Sequence, residues 1–134
     1  MILVDSSVWI DFFNGASNKA VHQLNLLLQE GSADLATADL VVYEVLRGFR
    51  HNKSLMQAQA LLTELAQVEL GGLDNALRAA EHYRALRGLG HSIRSPIDVL
   101  LAAYCIAHDH VLLHRDADFD VLQTLRGLQV LPHE

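Results

Sequence analysis

Four acidic residues, far apart in a chain of 134, stand where carboxylates are costly or well sited for chemistry: Asp5, Glu44, Asp98 and Asp116. Asp5 follows Ile2-Leu3-Val4, an apolar run short enough for a buried strand, and Asp116 comes just after a similar run, Val111-Leu112-Leu113-His114. Glu44 interrupts an apolar helix containing Leu40, Val41, Val42, Tyr43, Val45, Leu46 and Phe49. A carboxylate in such surroundings must be protonated, paired or bound to a cation. Asp98 lies in the first turn of the helix opened by Ser95-Pro96-Ile97-Asp98. Each acid also has a plain structural use. Asp5 can end its strand and help cap the next helix, and Glu44 can pair with Arg47. Asp98 can complete something close to a capping box with Ser95, and Asp116, Asp118 and Asp120 can form a solvated turn. Taken singly, these alternatives stay open. Taken together, four carboxylates in one place cannot all stay ionised without counter-charge, and the sequence supplies no buried lysine. All-oxygen ligation selects a hard cation, Mg²⁺ or Mn²⁺, over zinc.

The elements that would bring the acids together alternate along the chain. After the first strand, Ser6 and Ser7 are candidate caps for a helix with Val8, Trp9, Phe12 and Phe13 at helical spacing. Asn18 caps a second helix to about Glu30, and 33–37 reads as a weaker strand. Asp39 caps a largely buried helix from Leu40 to about His51, followed by a helix over 53–66 and a brief strand over 68–70. A fifth helix, Leu73 to about Leu89, turns Ala76, Leu77, Ala80, Tyr83 and Leu86 to one face. The helix after Ser95 is apolar nearly all round and belongs to the core. A strand over 111–114, a short helix to about Arg126 and a strand over 128–131 complete the chain. Strands alternating with helices predict an α/β fold with a mostly parallel sheet covered on both faces. In such a sheet the strand-end acids face one rim, and helices that follow strands begin at that rim.

Length predicts one domain over residues 1–134, long enough to bury about two-thirds of its unfolded surface. A single cysteine, Cys105, rules out an internal disulfide and fits a reducing cytoplasm. No run approaches the roughly 18 apolar residues of a membrane span, and the start lacks signal-peptide features. The formal net charge of −6 argues against nucleic-acid binding through a broad basic field. It leaves room for a nucleic-acid enzyme whose acids converge on cations. His108-Asp109-His110 looks like a metal cluster, but its histidines, two apart, do not share a helix face.

The stretches ILVDSSVWIDFF, LVVYEVLRGF, SPIDVLLAAYC and HRDADFD, in that order, resemble those of PIN-domain ribonucleases, and within them the VapC-type toxins of bacterial toxin–antitoxin pairs. The resemblance spans essentially the whole chain. It implies a three-layer α/β/α domain around a mostly parallel sheet of about five strands. Asp5, Glu44, Asp98 and Asp116 would then be the catalytic, Mg²⁺- or Mn²⁺-binding acids. Ser7 matches the family's small hydroxyl residue beside the first Asp, and Asp118 its secondary acid. Where many relatives carry Thr or Ser, this chain carries His114. The implied activity is metal-assisted hydrolysis of RNA, a structured RNA such as tRNA being the implied substrate, with Arg47, Arg50, Arg94 and Arg115 near enough in sequence to meet phosphate. The implied partners are a VapB-type antitoxin that covers the acidic pocket and a second copy of the chain, as a homodimer, a heterotetramer or a larger complex. Aromatic residues such as Trp9, Phe12 and Phe13 are more often core, yet their number so near the terminus also suits a groove for partner docking.

Two other readings compete. A signalling receiver domain needs an adjacent acid pair after the first strand and a lysine after a late strand, but Ser6 follows Asp5 and Arg115 is the only base near the late strand. A PIN-fold binding module without catalysis remains, although all four acids are intact.

Overall fold

The computed structural model describes residues 1–31 and 34–131. In chain order the elements are β1 (Ile2–Val4), α1 (Ser6–Phe13), α2 (Lys19–Gln29), β2 (Leu35–Ala38), α3 (Asp39–Leu46), α4 (Asn52–Glu64), β3 (Ala66–Val68), α5 (Leu73–Gly88), α6 (Pro96–Ala107), β4 (Val111–Leu113), α7 (Asp118–Arg126) and β5 (Gln129–Val130). The strands form one sheet in the order β3-β2-β1-β4-β5, parallel throughout. The chain first steps outward from β1 to β2 and β3, then crosses back to β4 and continues to β5. Because parallel crossovers are right-handed, reversing the direction of travel changes the face on which the connecting helices lie. The helices accordingly pack in two groups, α1 to α4 with one another and α5 to α7 with one another. The result is the three-layer α/β/α arrangement.

β1 is the central strand, and its register against β4 pairs Ile2 with Val111 and Val4 with Leu113. Leu3, Val4, Leu112 and Leu113 are buried, as a strand covered on both faces requires. Trp9, Leu24, Leu62, Leu101, Phe119 and Leu122 fill the space between sheet and helices.

Several predicted boundaries move, each for a local reason. Asp5, not either serine, caps α1, its carboxylate accepting from the Ser7 N–H. The predicted strand beginning at Ala33 starts at Leu35, and Ala33 itself lies outside the described residues. α3 stops at Leu46 rather than near His51, its last turn closing on Gly48. It is also less buried than predicted, with Tyr43 56% exposed. β3 runs two residues earlier than expected, because Leu70 belongs to the turn into α5, where Asp39 Oδ1 takes its N–H at 2.9 Å. α5 buries Asn75, Ala79 and Leu86 and leaves Leu77 exposed, a face rotated from the predicted one. Ser95 precedes α6 as predicted, with Pro96 in the first turn, yet its hydroxyl makes no capping bond.

Candidate active site

Between β1 and β4 the connections leave in opposite directions, β1 toward β2 and β4 toward β5. Such a switch point opens a crevice at the carboxyl ends of the strands, where ligands bind in open α/β sheets. Asp5 is the first residue beyond β1, and its N–H donates to the Leu113 carbonyl at 2.9 Å, which fixes it beside the end of β4. Asp116 lies three residues beyond β4, and Asp98 in the first turn of α6. The crevice is therefore lined with acid on both sides.

Asp98, Asp116 and Asp118 each offer a carboxylate oxygen, and the three oxygens lie within 4.8 Å of one another. Asp5 and Glu44 lie outside that trio but close enough for their charges to act on Asp98. Burial pushes the Asp98 carboxyl up to about 7, and repulsion from Asp5, Glu44, Asp116 and Asp118 pushes in the same direction. Asp5 is also raised by burial, although hydrogen bonds from Ser7 hold it back. Both the Ser7 hydroxyl and its N–H donate to Asp5 Oδ2. One oxygen of Glu44, Oε1, is buried without a hydrogen-bond partner among the described residues. Arg47, expected as an alternative partner for Glu44, instead sets its guanidinium 5.3 Å from the centre of the Tyr43 ring.

Asp98 and Asp5, raised chiefly by burial with repulsion from nearby carboxylates adding to it, and a Glu44 oxygen that is buried and unpartnered among the described residues, fit a hard divalent cation: the donors are all oxygen and the uncompensated charge is negative. Asp98, Asp116 and Asp118 would hold such a cation, with Asp5 and Glu44 beside them. Asp118, expected as the secondary acid, lies with Asp98 and Asp116 in this cluster.

His114 supports this loop rather than disrupting it. Its Nδ1 accepts the Asp116 N–H at 3.2 Å, and its ring packs 4.9 Å from that of Phe119. The Asp118 N–H then donates to Asp116 Oδ1 at 2.9 Å, closing a tight turn. Of the arginines, Arg94 approaches Asp118 Oδ2 through its N–H at 3.4 Å and its Nε at 3.8 Å, while remaining 85% exposed. Arg115 pairs with Asp11 Oδ2, which also accepts from Asn18 Nδ2 at 3.1 Å. His108 and His110 face one another at the opposite end of the sheet and take no part.

The Arg115–Asp11 pair joins the acid-bearing loop to α1 from an exposed position, where ion pairs add little. Asp11→Ala is expected to cost about 0.5 kcal/mol, a fall of roughly 2 °C in melting temperature by differential scanning fluorimetry.

No sequence signal marks Asp11 as the partner of Arg115, since it looks like an ordinary polar residue of a helix. Trp9, predicted to help form a docking groove, is fully buried and stacks on Phe13 with ring centres 5.9 Å apart. A groove of about 100 Å³ does open beside it, lined by Ile10, Phe13, Asn14, Val45, Gly48 and Phe49.

A parallel sheet whose switch point gathers carboxylates from both strand ends and from helix starts defines an acid-centred α/β domain. The chain belongs to the PIN domain family, which it matches over residues 2–125. Over 129 residues it is 33% identical to VapC ribonuclease Mb1587 of Mycobacterium bovis, and equally to Ribonuclease VapC11 of Mycobacterium tuberculosis, covering 96% of each chain. Its fold is similar to a toxin–antitoxin complex from Klebsiella pneumoniae (TM-score 0.73, 18% identity, 100% of this chain and 98% of that one). It is also similar to DNA-bound VapBC from Salmonella typhimurium (TM-score 0.74, 12% identity, 97% of this chain and 96% of that one). No helix among the described residues is long and apolar enough to cross a membrane.

Proposed function

We propose that the chain is a Mg²⁺- or Mn²⁺-dependent endoribonuclease, the toxin of a VapBC-type pair, acting in the cytoplasm on a structured RNA such as tRNA to restrain translation. The observation that carries this reading is the convergence of Asp98, Asp116 and Asp118 oxygens within 4.8 Å at the switch point, with Asp5 and Glu44 within electrostatic reach. Naming of its 33%-identical relatives as ribonucleases supports it.

When bound, the cation would supply a water of lowered pKa and neutralise charge on the scissile phosphate. The chain's own residues do the rest. Ser7 orients Asp5 through two hydrogen bonds, and His114 holds the backbone of Asp116. Asp98, Asp116 and Asp118 would hold the cation through the three oxygens that converge there. Arg94, exposed beside Asp118, and Arg115, exposed beside Asp11, are the cations nearest the acids for meeting phosphate, with Arg47 further out on Tyr43.

Purified protein incubated with total cellular RNA is expected to give discrete cuts with Mn²⁺ or Mg²⁺ and none with EDTA. A folded protein that cuts nothing with either metal would point instead to a binding module.

The partner proposed is a VapB-type antitoxin, and the groove beside Ile10 and Phe13 is where an apolar side chain of it would seat. Ile10, 38% exposed, is accessible there. Ile10→Asp is expected to weaken binding of the cognate antitoxin at least about ten-fold by titration calorimetry, because a charge would be desolvated in an apolar contact. RNA cleavage should stay at the wild-type rate. A homodimer is the assembly expected, and Leu73 and Leu77, exposed one turn apart on α5, supply an apolar stripe for it.

A further inference from the structure

Glu44 and Asp98 are carried by helices from the two different packing groups, α3 and α6, so something must set one against the other. The start of α6 lacks the usual device, since the Ser95 hydroxyl makes no capping bond. Asn75 supplies another. It lies in the first turn of α5, 5% exposed, and its amide nitrogen donates to two backbone carbonyls, Leu70 at 2.8 Å and Leu100 at 3.1 Å. Leu100 is two residues beyond Asp98. Leu70 in turn donates its N–H to Asp39 Oδ1 at 2.9 Å, and the same oxygen accepts the Leu40 N–H at 2.8 Å. A line of hydrogen bonds therefore runs from the first turn of α3, through Leu70 and Asn75, to the second turn of α6.

Apolar packing between α5 and α6 holds the helices together but is non-directional, so it resists separation more than sliding or rotation. A buried hydrogen bond to one chosen carbonyl fixes the register. We propose that Asn75 is a positioning residue for the acid site. It sets the axial position of α6, and so the distance of Asp98 from its fellow acids. The proposal rests on the cation-binding reading given above.

The test compares Asn75→Leu, similar in volume but without donors, with Leu86→Ala, which opens a void under the same helix away from the carbonyls. Mn²⁺ affinity is read by titration calorimetry on the full chain, and amide hydrogen exchange over residues 99–104 is read without metal. Asn75→Leu is expected to weaken Mn²⁺ binding about ten-fold and to speed exchange over 99–104. Leu86→Ala should lower the melting temperature while holding Mn²⁺ affinity within about two-fold of wild type. Wild-type affinity in Asn75→Leu, or equal losses of affinity in both variants, would overturn the proposal. Should Asn75→Leu not fold, Asn75→Ser is measured by the same criteria. A wild-type protein that binds no Mn²⁺ would sink the cation-binding reading instead, and unchanged exchange in the Asn75 variant would sink this one.

Discussion

Asp98→Asn is expected to reduce RNA cleavage by at least about 10³-fold, roughly 4 kcal/mol of barrier, while raising the melting temperature of the metal-free protein. The two effects have one cause. Asp98 is 7% exposed and feels the charges of Asp5, Glu44, Asp116 and Asp118. Such crowding is what a divalent cation would relieve, so in its absence the folded protein bears the repulsion itself. Asparagine keeps the shape and removes the charge. At about pH 8 in EDTA the variant should melt roughly 5 °C higher than wild type. In Mn²⁺ the order should reverse, since wild type gains more from the ion. A variant that still cleaves, or that melts lower in EDTA, would contradict the assignment of Asp98.

The second large expectation concerns pH. The Asp98 carboxyl has an ordinary value of 3.8 and is raised to about 7 in the fold. Between those values the folded state holds a proton that the unfolded chain has released, so stability falls as pH rises through this window and levels off above it. Burial shifts Asp5 in the same direction. His82 and His110, both lowered by burial, act oppositely as they lose stability on acidification below about 6.5. The difference between Asp98→Asn and wild type isolates the Asp98 share. That difference in melting temperature should be near zero at about pH 4 and reach its full size by about pH 8. Saturating Mn²⁺ should stabilise wild type more at about pH 8 than at about pH 5, because protons compete for the ligand oxygens. A flat difference across the range would mean that Asp98 is not crowded.

The outline of this arrangement was legible because its strongest signals are local. Ile2-Leu3-Val4 before Asp5, and Val111-Leu112-Leu113 before the acidic turn, announce strand ends by hydrophobicity alone. Ser95-Pro96 announces a helix start. What sequence could not give was set by contacts between distant residues. The position of β3 could not be read because the Leu70 N–H goes to Asp39, 31 positions away, and not to the sheet. The inward face of α5 carries Asn75, whose amide reaches Leu100, beside Ala79 and Leu86, and a pattern read from leucines alone does not find a buried asparagine, which is why exposed Leu77 misled. That an oxygen of Asp118 converges with those of Asp98 and Asp116 could not be read either, because adjacency in sequence does not say which oxygens meet. Nor could the pairing of Arg115 with Asp11 be read, because nothing in its neighbourhood names a partner 104 residues earlier.

The pairing of β1 with β4 also governs when the site can exist. Ile2 meets Val111, so the central strand, among the first parts of the chain to be made, waits for one of its two neighbours until more than a hundred further residues have been added. At synthesis rates of about 5–20 residues per second, roughly 4–14 s pass between the making of Glu44 and that of Asp116. Long-range parallel pairing is slow to form as well. A growing chain therefore lacks the full set of acids until it is nearly complete, and a product truncated before β4 would lack Asp116 and Asp118 altogether. The order of strands acts as a delay: the acids at the switch point meet only when almost the whole chain has been made.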